Sequence, residues 1–385
     1  MRFPGFEGEW EKHTLGEVGE PYIGLTYSPS DVVSEGGVIV FRSSNIQNGE
    51  IDYSDIVRVE KRIKESIRTK KDDLLICARN GSPRLIGKNA LLDEADANQT
   101  FGAFMLVFRS EDNHFIHQLL STKGYYSQVS ENLGARINQI TTSNIKDFEF
   151  SFPESKAERN KIASFLDLID QRIALQNKVI ERYESLIRAI IIRSQSACTR
   201  RKVYLNEILT ERKELNAQGY DICSVSVSKG VVNQVEYLGR SFAAKETAHY
   251  HVVLKGDIVY TKSPTGEFPY GIIKQSYLDT PVAVSPLYGV YEPIDYLTGV
   301  YLHHFFCSPQ NAKNYLHKLI QKGAKNTINI TNQHFLDNYI FIPESDTLQS
   351  IVATIETLSK RIVLEKELLS IFIEPKAYLM SNMFI

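Results

Sequence analysis

GARINQITTSNIKDFEFSFPE (Gly134–Glu154) and GAKNTINITNQHFLDNYIFIPE (Gly323–Glu344) are one passage written twice. With a single inserted residue, Ile140-Thr141 falls over Ile330-Thr331 and Pro153-Glu154 over Pro343-Glu344, each 190 positions further on in a chain of 385. Working outward, KKDDLLI (Lys70–Ile76) resembles LKGDIVY (Leu254–Tyr260), an acidic turn feeding an apolar, strand-like run, and TLGEV (Thr14–Val18) resembles YLNEI (Tyr204–Ile208). A repeat whose period is half the chain predicts two modules of one architecture.

Each Pro-Glu is followed by a long stretch without glycine, in which apolar residues recur at helical spacing. In the first, Ile162, Ile169, Gln176, Tyr183 and Ile190 form a row of sevens, with Leu166, Ile173, Ile180 and Ile187 between them. In the second, Ile351, Leu358, Glu365, Phe372 and Leu379 form one row and Ile355, Ile362 and Leu369 the other, until Lys376 interrupts it. An apolar stripe sustained over about four heptads needs a partner helix, and the nearest partner is the other copy in the same chain. Gln176 and Glu365 occupy equivalent mid-seam positions, where a polar residue lowers stability and sets register. Pro375 lies inside the second stripe and is expected to kink or end that helix, so that the last ten residues pack differently.

The sequence therefore divides into an α+β segment (1–155), a helix (156–197), a second α+β segment (198–345) and a second helix (346–385). Apolar runs such as VIVFRS (Val38–Ser43), FMLVFRS (Phe104–Ser110), GDIVYTK (Gly256–Lys262) and DNYIFIP (Asp337–Pro343) are expected strands of a mixed sheet in each segment. Phe115–Val129 and Tyr301–Gln321 are expected helices at corresponding places before each Gly-Ala. With 43% hydrophobic residues, both segments can bury a core. The four cysteines are far apart in sequence and form no CxxC pair, which speaks against structural zinc and for a reducing compartment. The charged N-terminus and the lack of any run of about 20 apolar residues lead to the expectation of a cytoplasmic protein without a membrane span. A net charge of −2 means that a nucleic-acid partner must be held by local patches.

RFPGFEGEWEKHTLGEV at the N-terminus, FRSSNIQNGEI (Phe41–Ile51) and the twice-written Gly-Ala…Ile-Thr…Pro-Glu run leading into matched heptads together resemble one family along the whole chain. These residues are similar to those of the DNA-specificity subunits of type I restriction-modification systems. The copies differ where PESKAERNKI in the first becomes PESDTLQSI in the second. The resemblance implies two globular α+β target-recognition domains separated by two long helices packed as an antiparallel coiled coil, with an internal pseudo-two-fold repeat. It further implies a non-catalytic chain that reads a bipartite, gapped site in double-stranded DNA. Its expected partners are two adenine-methyltransferase subunits and the restriction and translocase subunits, on which S-adenosylmethionine and ATP would be bound. A helix of about 40 residues is ~60 Å long, or ~18 base pairs, which bounds the separation of the half-sites.

Base readout requires donors and acceptors on loops that reach a groove. The first candidate set is Arg42, Ser44, Asn45 and Gln47, with Ser226, Ser228 and Lys229 as counterparts in the second module. The loop ARNGSPRLIGK (Ala78–Lys88) offers Arg79, Asn80, Ser82, Arg84 and Lys88, and its equivalent TKSPTGEFPYG (Thr261–Gly271) offers Lys262, Ser263, Thr265 and Glu267. After each Gly-Ala come Arg136, Asn138 and Gln139 in the first copy and Lys325, Asn326 and Asn329 in the second. The basic run Arg58–Lys71 and the cluster Arg193, Arg200, Arg201 and Lys202 are candidates for phosphate contacts, with an ordinary solvated charged face as the plainer account.

Other chemistries find little support. The chain has no P-loop, and no Gly-rich cofactor loop with Asn or Asp before Pro-Pro and an aromatic residue. His249, His251, His303 and His304 have no metal-ligand spacing, and Asp72, Asp73 and Asp257 read as acidic turns, not nuclease carboxylates. The remaining alternative is a coiled-coil adaptor whose heads bind proteins and not DNA.

Overall fold

The computed structural model describes residues 2–133, 138–196, 200–238, 246–322 and 328–384. It is an α+β protein whose chain divides into two compact units, Met1–Gln176 with Leu368–Ile385, and Asn177–Glu367.

In the first unit the strand Trp10–Thr14 pairs antiparallel with Glu149–Pro153, so the beginning and end of the head lie side by side. In the second unit Arg200–Tyr204 pairs in the same register with Tyr339–Pro343. A short helix follows the first strand of each pair, Leu15–Val18 and Leu205–Ile208. Both helices start the same way, since the Glu17 and Glu207 carboxylates accept the backbone N–H of Thr14 and Tyr204 at 2.9 and 3.3 Å. The repeated Ile-Thr has an equally plain cause. Ile140 and Ile330 are each 1% exposed, and the hydroxyls of Thr141 and Thr331 cap the helices Thr142–Asp147 and Asn332–Leu336 by accepting the N–H of Asn144 and His334.

Each head is built on a four-stranded antiparallel sheet with the same connectivity. In the first the order is Glu20–Ile23, Met105–Arg109, Leu74–Cys77, Asn89–Leu91; in the second it is Leu209–Glu211, Gly289–Pro293, Ile258–Tyr260, Ile273–Gln275. Leu74 pairs with Phe108 and Ile258 with Tyr291, which makes the acidic-turn residues Asp73 and Asp257 equivalent. Both are buried and both hold a guanidinium with two bonds, yet the arginine comes from different strands. Arg109 serves Asp73 at 2.9 and 3.0 Å and lies over the Tyr22 ring, whereas Arg212, at the place corresponding to Tyr22, serves Asp257 at 2.7 and 3.1 Å. Glu292 then stands at the place of Arg109, 3.2 Å from Arg212. The buried carboxylate demands a cation, and the fold meets that demand from either neighbouring strand.

The heads differ beyond this frame. The first carries a second sheet in the order Thr100–Phe101, Val38–Phe41, Val57–Val59, Val32–Val33, while the second carries a hairpin of Cys223–Ser226 and Gly230–Asn233, bridged through Ile222 and Ala283 to an antiparallel pair of His251–Val253 and Val282–Val284. The expected helices before each Gly-Ala are each two helices: Asn113–Leu119 and Lys123–Asn132, then Tyr296–Phe306 and Pro309–His317. Thr122 and Ser308 break them by capping the following turn, and Pro309 has no N–H with which to continue a helix. The basic run Arg58–Lys71 is not one regular element. It spans the end of a strand and one 3₁₀ turn, with Lys61 paired to Asp31 at 3.0 Å and Arg68 donating to the Asn98 carbonyl.

The long helices are Lys156–Ser196 and Ser345–Met383. In the first unit Ile162, Leu166 and Ile169 share a core with Leu379, Met380, Met383 and Phe384; in the second, Ile187, Ile190 and Ile191 share one with Leu348, Ile351, Val352, Ile355, Leu358 and Ile362. The start of one helix thus meets the end of the other within each unit, the antiparallel arrangement. Ile180 and Gln176 are also buried, whereas Ile173, Glu365, Leu369 and Phe372 are half-buried. Pro375 does not end the helix. It lies on the exposed face, where water can satisfy the carbonyl it leaves unbonded, and the following turns are held by Leu379, Met380 and Met383 in the core. Lys376 remains in the seam because its ammonium pairs with Asp170 of the first long helix.

A polar chain within the first unit ties head to helices. The His114 ring stands 3.1 Å from Asp167 and 3.1 Å from Asp72, and Gln118 donates to Asp167 and Asp170. The hydrogen bond to Asp167, with Asp72 adding to it, raises the His114 pKa against the opposing effect of burial.

Two outcomes follow. Truncating Met383 to alanine removes a 6%-exposed side chain from the first core and is expected to lower stability by about 2–4 kcal/mol in denaturant unfolding. A raised histidine pKa contributes stability below the unfolded value of about 6.5 and loses it as pH rises through the folded value. The difference in melting temperature between the native chain and His114→Asn should therefore be larger at pH 6 than at pH 8; an equal difference at both would refute the clamp.

Candidate nucleic-acid interface

Three segments of the first head converge, two of them leaving strands of different sheets. Strand Val38–Phe41 runs into the 3₁₀ turn Ser43–Asn45, strand Leu74–Cys77 into the loop Ala78–Lys88, and the chain approaches Ile140 through Asn138 and Gln139. Asn80 joins all three. Its Nδ2 donates to Ser43 Oγ at 3.0 Å, its N–H to the Asn138 carbonyl at 3.3 Å, and its Oδ1 accepts the N–H of Ser82 at 3.0 Å. Asn138 Nδ2 completes the link to the Gly81 carbonyl at 3.1 Å, and Arg79 bridges Gln139.

These loops line a concavity of about 1010 Å³ that includes Arg42, Ser44, Arg79, Asn80 and Asn138 of the expected residues, with Leu25, Tyr27, Val32, Phe104 and Met105 as its apolar wall. The wall depends on Gly24, where a Cβ would come within 2.2 Å of the Gly102 carbonyl oxygen. Arg42 is engaged by Asp55, whose carboxylate lies 2.8 Å from Nη2. Arg79 is exposed, its guanidinium 4.9 Å from the centre of the Phe104 ring, and that ring is itself 57% exposed.

Other expected residues stand apart. Asn45 is fully buried, its amide donating to the Asp52 and Asp55 carbonyls and accepting the N–H of Arg42, so it shapes the turn and does not face the concavity. Ser82, Arg84 and Lys88 are not among the lining residues. Arg136, Lys325 and Asn326 lie outside the described residues, and Asn329 belongs to the strand Ile328–Asn329. In the second head Ser228 and Lys229 are exposed between the two strands of the hairpin, while Ser226 is buried. Ser263, Thr265 and Glu267 are exposed at a tight turn closed by reciprocal bonds between Thr265 and Phe268. Lys262 is half-buried, and burial lowers its pKa against the attraction of Glu211. Arg200 and Lys202 lie over the rings of Phe341 and Tyr339, which gives them packing roles.

Phe104 was not among the expected residues. It begins the run FMLVFRS, and Met105 to Phe108 are all buried, so the ring reads in sequence as one more core position. Among the described residues no group of three or more His, Cys, Asp or Glu side chains is arranged to hold a metal ion, and no helix is long and apolar enough to cross a membrane.

Residues 7–184 match the type I restriction modification DNA specificity domain. The type I restriction enzyme StySPI specificity subunit of Salmonella potsdam is 27% identical over 173 residues, 43% of this chain and 37% of that one. The EcoKI specificity subunit of Escherichia coli K12 is 30% identical over 154 residues, 38% of this chain and 33% of that one. The matched stretch thus spans roughly a third of the length of these relatives. The crystal structure of a type I restriction-modification S subunit from M. genitalium superimposes over 100% of this chain and 99% of its own with a TM-score of 0.65; at 15% identity that likeness concerns the fold. Residues 7–184 thus carry a domain of the type I restriction modification DNA specificity kind, and the chain is similar to the specificity subunits of type I restriction-modification systems.

Proposed function

We propose that this chain chooses the DNA sequence on which a type I complex acts, each head reading one half of a bipartite, gapped site. The observation that carries this is the doubling itself: two heads on one sheet topology, each bearing loops of its own. A repeated frame suits two half-sites read in inverted orientation, and unlike loops suit unlike half-site sequences. The helices, of 41 and 39 residues, are about 60 Å long, which bounds the gap between the halves to under ~18 base pairs.

In this reading the chain is not the enzyme. Two adenine-methyltransferase subunits bind it and take their target from it, and restriction and translocase subunits join the same assembly. S-adenosylmethionine and ATP belong to those partners, and the complex works on double-stranded DNA in the cytoplasm. The net charge of −2 is compatible with this role, since phosphate contacts need only local patches and not bulk charge.

The test is to co-express the chain with its cognate methyltransferase subunit in a host free of adenine methylation and to map every methylated adenine. Methylation is expected only when this chain is present, in a motif of two short halves around a fixed gap. The same motif methylated without it would show that the sequence is chosen elsewhere.

A further inference from the structure

Among the described cationic side chains that line the concavity of the first head, Arg79 alone has no carboxylate partner, since Arg42 is held by Asp55. Arg79 is nevertheless not loose. The N–H groups of Ala78 and Arg79 both donate to the Phe104 carbonyl at 3.0 Å, which fixes the two backbones against each other, and the guanidinium lies 4.9 Å from the Phe104 ring centre. The neighbouring Asn80 is tied to Ser43, Asn138 and Ser82, so the loop bearing Arg79 is fastened on its far side as well.

A phenylalanine whose ring is 57% exposed contributes little to a core. As a flat face beneath a guanidinium, it reduces the rotamers open to a long side chain while leaving the N–H groups of the guanidinium edge free to donate. A planar fork presented this way matches the O6 and N7 acceptors of guanine in the major groove, a pattern no other base offers. Lysine in the same place would present a point charge without the fork.

We propose that Arg79 is the residue with which the first head reads a guanine, and that Phe104 is its positioning platform. The assignment rests on the reading of the chain as a specificity subunit. Arg79 makes the base contact; Phe104 acts through Arg79 and lowers the entropy lost when that contact forms.

The experiment uses the full chain assembled with its methyltransferase subunit and a library of double-stranded DNA in which each position of the motif carries every base in turn. The native complex is expected to require guanine at one position of the half-site read by the first head. Arg79→Ala should relax that position alone, reducing a preference of roughly 5- to 150-fold toward none, with the other half and the gap unchanged. Phe104→Ala should relax the same position less, and Phe104→Tyr should restore it. A general loss of stability would lower methylation at all sites and would not redistribute bases at one position, so this readout separates positioning from folding. Arg79→Lys covers the case in which Arg79→Ala does not assemble, and should relax the same position. A first half-site without a required guanine, or a motif unchanged in both Arg79 variants, overturns the assignment and leaves the function intact. A native complex that methylates no gapped motif overturns both.

Discussion

An apolar stripe four heptads long cannot face water, and the rest of this molecule is arranged around covering two of them. Within each unit the start of one long helix packs on the end of the other, so the end of the second helix completes the core begun by the first head. Met383, Leu379 and Phe384 pack with Ile162, Leu166 and Trp10 across more than 200 positions of sequence. The first unit is therefore discontinuous: Leu368–Ile385 belong to it as much as Met1–Gln176 do. The second unit is made of one continuous stretch, Asn177–Glu367. The first core accordingly closes only when the last turns of the chain are present.

Within the heads, what is repeated is the part that must satisfy backbone and buried charge. The capped helices, the terminal strand pair, the four-stranded sheet and the buried aspartate of the acidic turn occur in both. The exchange of the arginine between strands shows how such a frame tolerates sequence change. Asp73 and Asp257 each need a guanidinium in a place with little water, and Arg109 or Arg212 reaches it equally well from neighbouring strands. What is not repeated lies outside this frame, in the second sheet of the first head and the hairpin of the second. Constraint thus lies in the sheet, and the differences between the heads lie outside it.

The polar side of the concavity of the first head is fixed by hydrogen bonds. Asn45 spends its amide inside the turn, Asn80 spends its own between loops, and Arg42 is fixed by Asp55. These bonds hold the polar groups in place before any ligand arrives. Preorganisation of this kind lets a hydrogen-bonding surface discriminate, because little freedom remains to be lost on binding.

Much of the architecture was legible in the chain because it depends on periodicity. The half-length repeat, the heptad seams, the strand runs and the turn residues are local or evenly spaced patterns, and their physics acts between near neighbours. Tertiary structure alone decided matters that depend on surroundings. Pro375 remained helical because its face is solvated and the next turns are anchored in the core. Thr122 and Ser308 divided helices that apolar spacing joined. Asn45 and Asn80 are the same residue type in loops of similar composition, yet one is buried in its own turn and the other links three loops. Phe104 looked like core and is exposed, because the strand that begins one residue later is covered on both faces, Met105 and Val107 by one cluster and Leu106 and Phe108 by another, while this ring stands before it at the rim. Side-chain identity carries chemistry, but which neighbours it meets is set by the approach of segments distant in sequence, and no local pattern records that approach.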